Sequence, residues 1–165
     1  MENLRRCFFT GHRRLPAKRL DEINEALSRE IERLVIDYDV RDFISGGALG
    51  FDTVAAEAVV KMKEKYPHIR LLLYLPCYGQ SKKWYAKQKY RYAMLKSKAD
   101  EIIYVTEGEY TEDCMMKRNL RMIKDAFFCI AFCIMHNTGT GITLKNAEEV
   151  GAHIINIADE IYESN

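Results

Sequence analysis

Four polar stretches in this chain carry residue types that bind phosphate and sugar. Thr10-Gly11-His12-Arg13-Arg14 sets cationic side chains after a glycine. Gly46-Gly47-Ala48-Leu49-Gly50-Phe51-Asp52 and Asn137-Thr138-Gly139-Thr140-Gly141-Ile142-Thr143 are glycine-rich and open helices, and Pro76 to Gln80 closes a strand. Glycine lets a backbone approach a phosphate closely, and a helix start offers free N–H groups and partial positive charge. A tight strand-to-helix turn with no ligand explains Gly46 and Gly47 equally well. The second glycine loop favours a ligand, because Gly139, Thr140, Gly141 and Thr143 would then face Gly46, Gly47 and Gly50 as two walls of one anion pocket.

Other side chains extend this reading. An Arg at position 13 can fork onto phosphate oxygens, with Gly11 and His12 beside it. Asp52 can accept from a ribose hydroxyl or complement the start of a helix. Arg118 and Asn119 either face solvent or reach back over the pocket. No Gly-Lys-Ser/Thr follows either loop and GxGxxG is absent, so neither a Walker P-loop nor an ordinary dinucleotide dehydrogenase is expected.

From Gln80 to Ala99 there is no acid; Lys82, Lys83, Lys87, Lys89, Arg91, Lys96 and Lys98 alternate with Trp84, Tyr85, Tyr90 and Tyr92. Cations interleaved with stacking aromatics suit single-stranded nucleic acid. A solvated helix with its tyrosines in the core accounts for the same letters. The whole chain balances 25 Lys+Arg against 24 Asp+Glu, so any basic site is local.

These loops need a scaffold, and hydrophobic periodicity supplies one. Strands are expected at Leu4 to Phe9, Arg41 to Ser45, Ile69 to Leu75, Glu101 to Val105, Phe127 to Ile134 and His153 to Ile157. Leu20, Ile23, Leu27, Ile31, Leu34, Val35 and Tyr38 recur at helical steps, with Pro16 in the first turn. Further helices are expected after Gly50, over Ser81 to Lys98, over Glu112 to Lys124 and after Gly141. Strand–helix alternation implies an α/β fold: a single Rossmann-like domain over 1–158, mostly parallel sheet with helices on both faces, and a short tail over 159–165. Ligands of such sheets bind beyond the carboxyl ends of the strands.

At 48% hydrophobic and 30% charged the chain has a globular composition. Cys7, Cys77, Cys114, Cys129 and Cys133 are odd in number and mostly in apolar runs, which suits reduced thiols in the cytoplasm. No metal site or cofactor is expected. No run is long enough to span a membrane, and a homo-oligomer is left open.

Taken together, TGHR at 10–13, GGALGFDTVAAE at 46–57, Pro76 with Gln80 and Trp84 spaced four apart, Arg118-Asn119 and GTGIT at 139–143 resemble the YpsA-like group of the SLOG superfamily. That superfamily includes the DprA/Smf DNA-processing proteins and the LOG phosphoribohydrolases. The resemblance implies a Rossmann-like domain binding a nucleotide or a derivative such as ADP-ribose. Its implied ligand contacts are Gly11, His12, Arg13, Gly46, Gly47, Gly50, Asp52, Gln80, Trp84, Arg118, Asn119, Gly139, Thr140, Gly141 and Thr143, with His12 adding charge and Trp84 or Tyr78 stacking on a base. The LOG motif PGGxGTxxE ends in a catalytic Glu; aligned on Thr143, that position is Asn146, which weakens the hydrolase reading. Asp52 and Glu57 are the remaining candidate carboxylates. A loop closer to the DprA type keeps nucleic acid as a partner.

Overall fold

A computed structural model describes residues 2–163. Six strands form one parallel sheet: β1 (Arg6–Gly11), β2 (Asp42–Ser45), β3 (Arg70–Leu75), β4 (Glu101–Tyr104), β5 (Phe128–Phe132) and β6 (His153–Asn156), in the order β4-β3-β2-β1-β5-β6. The helices are α1 (Leu20–Tyr38), α2 (Phe51–Lys65), α3 (Ala86–Lys98), α4 (Cys114–Asp125), α5 (Gly139–Glu149) and α6 (Ile157–Glu163). This is the Rossmann-like α/β architecture expected.

Successive residues of a strand point to opposite faces, and here both faces are covered. Cys7, Phe9, Phe43, Leu71, Leu73, Ile130 and Phe132 pack with side chains of α1, α2, α3 and α6. Phe8, Ile44, Leu72, Tyr74, Cys129 and Ala131 pack with Met122 of α4 and with Leu144 and Ala147 of α5. Burying each large apolar side chain contributes about 1.5–3 kcal/mol. That is why Ile23, Leu27, Ile31 and Leu34, all fully buried, define the inner stripe of α1. Leu20 and Tyr38, placed on the same stripe by spacing, lie at its ends and are exposed.

The chain runs outward from β1 to β4, then α4 crosses back to place β5 on the other side of β1. The loops after β1 and β5 therefore diverge to opposite faces. The gap between them is the crevice where ligands of open parallel sheets sit.

Three expectations are corrected. The segment after residue 158 is no loose tail as far as Glu163: it is α6, with Ile157, Ala158 and Ile161 buried; residues 164 and 165 lie outside the described ones. Pro16 precedes a short 3₁₀ turn, Ala17–Arg19, rather than sitting in the first turn of α1. The basic helix begins at Ala86, not Ser81, so Lys82, Lys83, Trp84 and Tyr85 belong to the turns before it. All five cysteines are free and buried. Among the described residues no helix is long and apolar enough to cross a membrane, and no cluster of three metal-ligating side chains occurs.

Candidate functional site

The crevice between β1 and β5 has a volume of about 340 Å³. Thr10, Gly11, His12 and Arg13 line it from the end of β1, and Ala48 and Asp52 from the start of α2. Met115, Arg118, Asn119 and Met122 contribute from α4, and Thr138, Gly139 and Thr140 from the start of α5.

Two charged groups are buried in its wall. Arg118 is 4% exposed and Asp52 is 5% exposed. Arg118 donates through Nη1 to the Gly46 carbonyl, and through Nε to Asn119 Oδ1 at 2.8 Å. Asn119 in turn donates to Thr143 Oγ1 at 3.1 Å, and Thr143 donates to the Gly139 carbonyl at 3.0 Å. A chain of hydrogen bonds thus runs from the β2 loop through α4 to the first residue of α5. Asp52 accepts from the Ala48 N–H at 3.2 Å through Oδ2, while Oδ1 has no hydrogen-bond partner among the described residues. No direct salt bridge joins Asp52 to Arg118. Burial raises the Asp52 pKa above the usual carboxylate value, opposed by the Arg118 charge, the Ala48 N–H and the Arg13 charge. Burial also lowers the Arg118 pKa, and Asp52 opposes that shift.

The β2 loop does not present its paired glycines to the crevice. A β-carbon on Gly46 would collide with the Arg118 guanidinium. Gly47 has φ +70°, and a β-carbon there would lie 2.7 Å from Leu75 Cδ2. Both glycines are required by packing, so the expected pair of glycine walls is corrected: from this loop Ala48 and Asp52 line the crevice. The α5 loop does form a wall. Thr138 caps the helix, its hydroxyl accepting from the Gly141 N–H at 3.3 Å, and a β-carbon on Gly139 would meet nothing within 4 Å. Gly141 is buried against the His136 carbonyl, and Thr143 supports Gly139 from behind.

His12 has a different role from the added charge expected of it. Its Nε2 accepts from the N–H groups of Ile134 at 2.8 Å and Met135 at 3.3 Å. The ring is therefore neutral there and ties the β1 loop to the β5 loop. Burial lowers its pKa, helped by His136. Arg13 is exposed and has no ion pair among the described residues.

Two larger cavities adjoin the crevice. One, of about 590 Å³, is lined by Arg13, Arg14, Leu49, Gly50, Thr53, Lys83, Trp84, Tyr85, Gln88 and Arg91. The other, of about 500 Å³, includes Arg13, Gln80, Lys82, Lys83 and Trp84. Gln80 is tied down inside, donating to the Gly46 carbonyl at 3.2 Å and accepting from Tyr92 Oη at 2.9 Å. Trp84 packs edge-on against buried Tyr92, centroids 5.0 Å apart. Tyr78 packs against Tyr104 and lines none of these three cavities. Glu57 lines none of them either: Arg91 holds its carboxylate, Nε to Oε2 3.0 Å. The sequence reading did not single out Met115 and Met122. Their spacing with Arg118 and Asn119, at steps of three and four on one helix face, was the signal available.

A model of the YspA SLOG family (YpsA) matches residues 9–140, from the end of β1 to the start of α5. The chain belongs to this family. It is 34% identical over 139 residues to YoqJ, an SPbeta prophage-derived protein of Bacillus subtilis strain 168, a match covering 78% of this chain and 81% of YoqJ. A UPF0398 protein of Brevibacillus brevis is 33% identical over 88 residues, 53% of this chain and 46% of that protein. The match to that relative therefore spans about half its length. DNA processing protein A of Helicobacter pylori has the same fold, with a TM-score of 0.64 at 17% identity, covering 92% of this chain and 64% of that one. The Streptococcus pneumoniae protein of that name gives 0.62 at 17% identity, covering 90% and 48%. At these identities the SLOG likeness to DNA processing protein A is a likeness of fold.

Proposed function

We propose that this SLOG domain binds a nucleotide or nucleotide-derived ligand such as ADP-ribose in the crevice between β1 and β5. One observation carries the reading. Asp52 and Arg118 are both buried at the sheet's switch point and converge on a crevice whose far wall is the open start of α5. Burying charge is costly unless the group is paired or used, and these two are not joined to each other. Phosphate sits at the α5 N-terminus, where N–H groups and helix dipole favour an anion, and Arg13 adds charge from the rim. Asp52 Oδ1 accepts from a sugar hydroxyl.

A thermal-shift series with mononucleotides and ADP-ribose tests this. A ligand at a hundred times its dissociation constant adds about 2.7 kcal/mol. Gly139→Val, which fills open space at the helix start, is expected to keep the unliganded melting temperature and lose most of the ligand-induced rise. An undiminished rise in that variant puts the ligand elsewhere.

A second reading rests on a different observation. Arg13, Arg14, Lys82 and Lys83 carry no ion pairs among the described residues, and Tyr85 and Tyr90 are exposed. The Helicobacter pylori neighbour has a single-stranded DNA binding mode. Strand binding here requires an affinity that falls steeply with salt and is abolished by Lys83→Glu with Lys87→Glu.

A further inference from the structure

The crevice does not end at Arg13. The same residue lines the crevice, the 590 Å³ cleft and the 500 Å³ cavity, so the three spaces meet at Arg13. Gly50 makes that junction. A β-carbon there would fall on the carbonyls of His12 and Arg13, and the Phe51 N–H donates to the His12 carbonyl at 3.1 Å. The β1 loop is thereby laid directly across the start of α2, with Arg13 at the crossing.

The outer cleft has its own chemistry. Three of its lining side chains, Arg13, Arg14 and Lys83, are cations with no ion pair among the described residues; the fourth, Arg91, is neutralised by Glu57 at the edge of the cleft. Among the described residues no carboxylate lines it. Trp84 forms the wall shared with the 500 Å³ cavity and is held by its contact with Tyr92. Tyr85 stands beside it, 79% exposed. A held indole and an exposed phenol next to uncompensated cations are a site for a base attached to a phosphate. The walls come from three directions: the β1 loop, the first turn of α2, and the turns leading into α3. That enclosure suits a short ligand rather than a long strand.

We propose that crevice and outer cleft form one bipartite site for a small dinucleotide: one nucleotide in the crevice, a second phosphate at Arg13, Arg14 and Lys83, and its base against Trp84 and Tyr85. This rests on the crevice reading above and names the class of ligand for it. The crevice, at about 340 Å³, lies at the small end of ligand sites, about 300–1,000 Å³, and suits a single nucleotide. Linking a second group to a bound first one makes its binding intramolecular, so affinity gains without any new protein contact to the first half.

The experiment is calorimetric titration of AMP, the 5′-phosphorylated dinucleotide pApA and an A hexanucleotide into the wild type and an Arg14→Glu, Lys83→Glu double variant. Both substitutions lie on the surface, outside the crevice. The expected result is that pApA binds at least about tenfold tighter than AMP and the hexanucleotide no tighter than pApA. The double variant is expected to reduce pApA to the AMP level and leave AMP within about twofold. Equal affinity of AMP and pApA, or an equal loss of both in the variant, overturns the bipartite site while leaving the crevice standing. A continued rise to the hexanucleotide overturns it in favour of a strand-tracking surface. Absence of binding by all three ligands removes the crevice reading, and the bipartite site with it.

Discussion

The guanidinium of Arg118 donates to the carbonyl of Gly46, 72 positions earlier in the chain, and occupies the space where a β-carbon on Gly46 would stand. The turn after β2 and the middle of α4 are therefore fitted to each other. Gly46→Ala forces the guanidinium from its acceptor, an overpacking of the kind that costs about 1–3 kcal/mol. For a chain of this size the melting temperature falls by roughly 2–4 °C per kcal/mol. Gly47→Val is expected to destabilise at least as much, because it adds a strained backbone at φ +70° to the collision with Leu75. If Gly47 served only as a wall of the anion pocket, this variant would instead fold normally and lose only ligand. Calorimetric melting of both variants checks the point; wild-type melting temperatures would return these glycines to a ligand-binding role.

Asp52 makes stability depend on pH in a defined direction. Burial raises its folded pKa above the ordinary value of 3.8, so the folded state holds the proton more tightly than the unfolded chain. Below 3.8 both states are protonated and the group costs nothing. As pH rises from there through the folded pKa, the unfolded chain ionises first and stability is lost; above the folded pKa the loss is complete. Asp52→Asn removes the titration. The melting temperature of the variant relative to wild type is therefore expected to rise between pH 4 and pH 7.5. A difference that stays constant over this range shows that the Asp52 pKa is not raised.

Much of the scaffold was legible because it depends on local pattern. The four-residue steps of Ile23, Leu27 and Ile31, and the unbroken apolar run at Phe128 to Phe132, each have one good structural solution. Ile157–Glu163 was missed because seven residues with two acids in the first turn carry little periodic signal, and only contact with α1 and β5 makes it a helix. The start of α3 was misplaced because Lys82 to Tyr85 continue its composition. There the Tyr85 N–H bonds to Gln88 Oε1 at 2.9 Å, a start signal without the usual Ser, Thr, Asp or Asn. At the site, the placement of the residues after β1, of Asp52 and of the α5 loop along a strand-end crevice was legible. The role of Gly46 and Gly47 was not, since it is set by Arg118 and Leu75, which are distant in sequence. Nor was the neutral state of His12, which depends on backbone donors at Ile134 and Met135.

The crevice is expected not to release base from nucleoside monophosphates at the ~1 s⁻¹ lower end of typical enzyme turnover. As a glycosidic bond breaks, positive charge develops on the ribose, and an ionised carboxylate close to it provides the stabilisation. Asn146 does not line the crevice, and as an amide it supplies no charge. Glu57 is held by Arg91 on the surface between α2 and α3. Among the described residues Asp52 is the one carboxylate that lines the crevice, and burial raises its pKa above the usual carboxylate value, opposed by the Arg118 charge. Chromatography of AMP, GMP, CMP and UMP after incubation with the protein measures the outcome directly. Turnover that survives Glu57→Gln and disappears in Asp52→Asn would contradict the expectation and make Asp52 the catalytic carboxylate of a hydrolase. Binding without turnover leaves Asp52 with the hydroxyl-accepting role proposed for it.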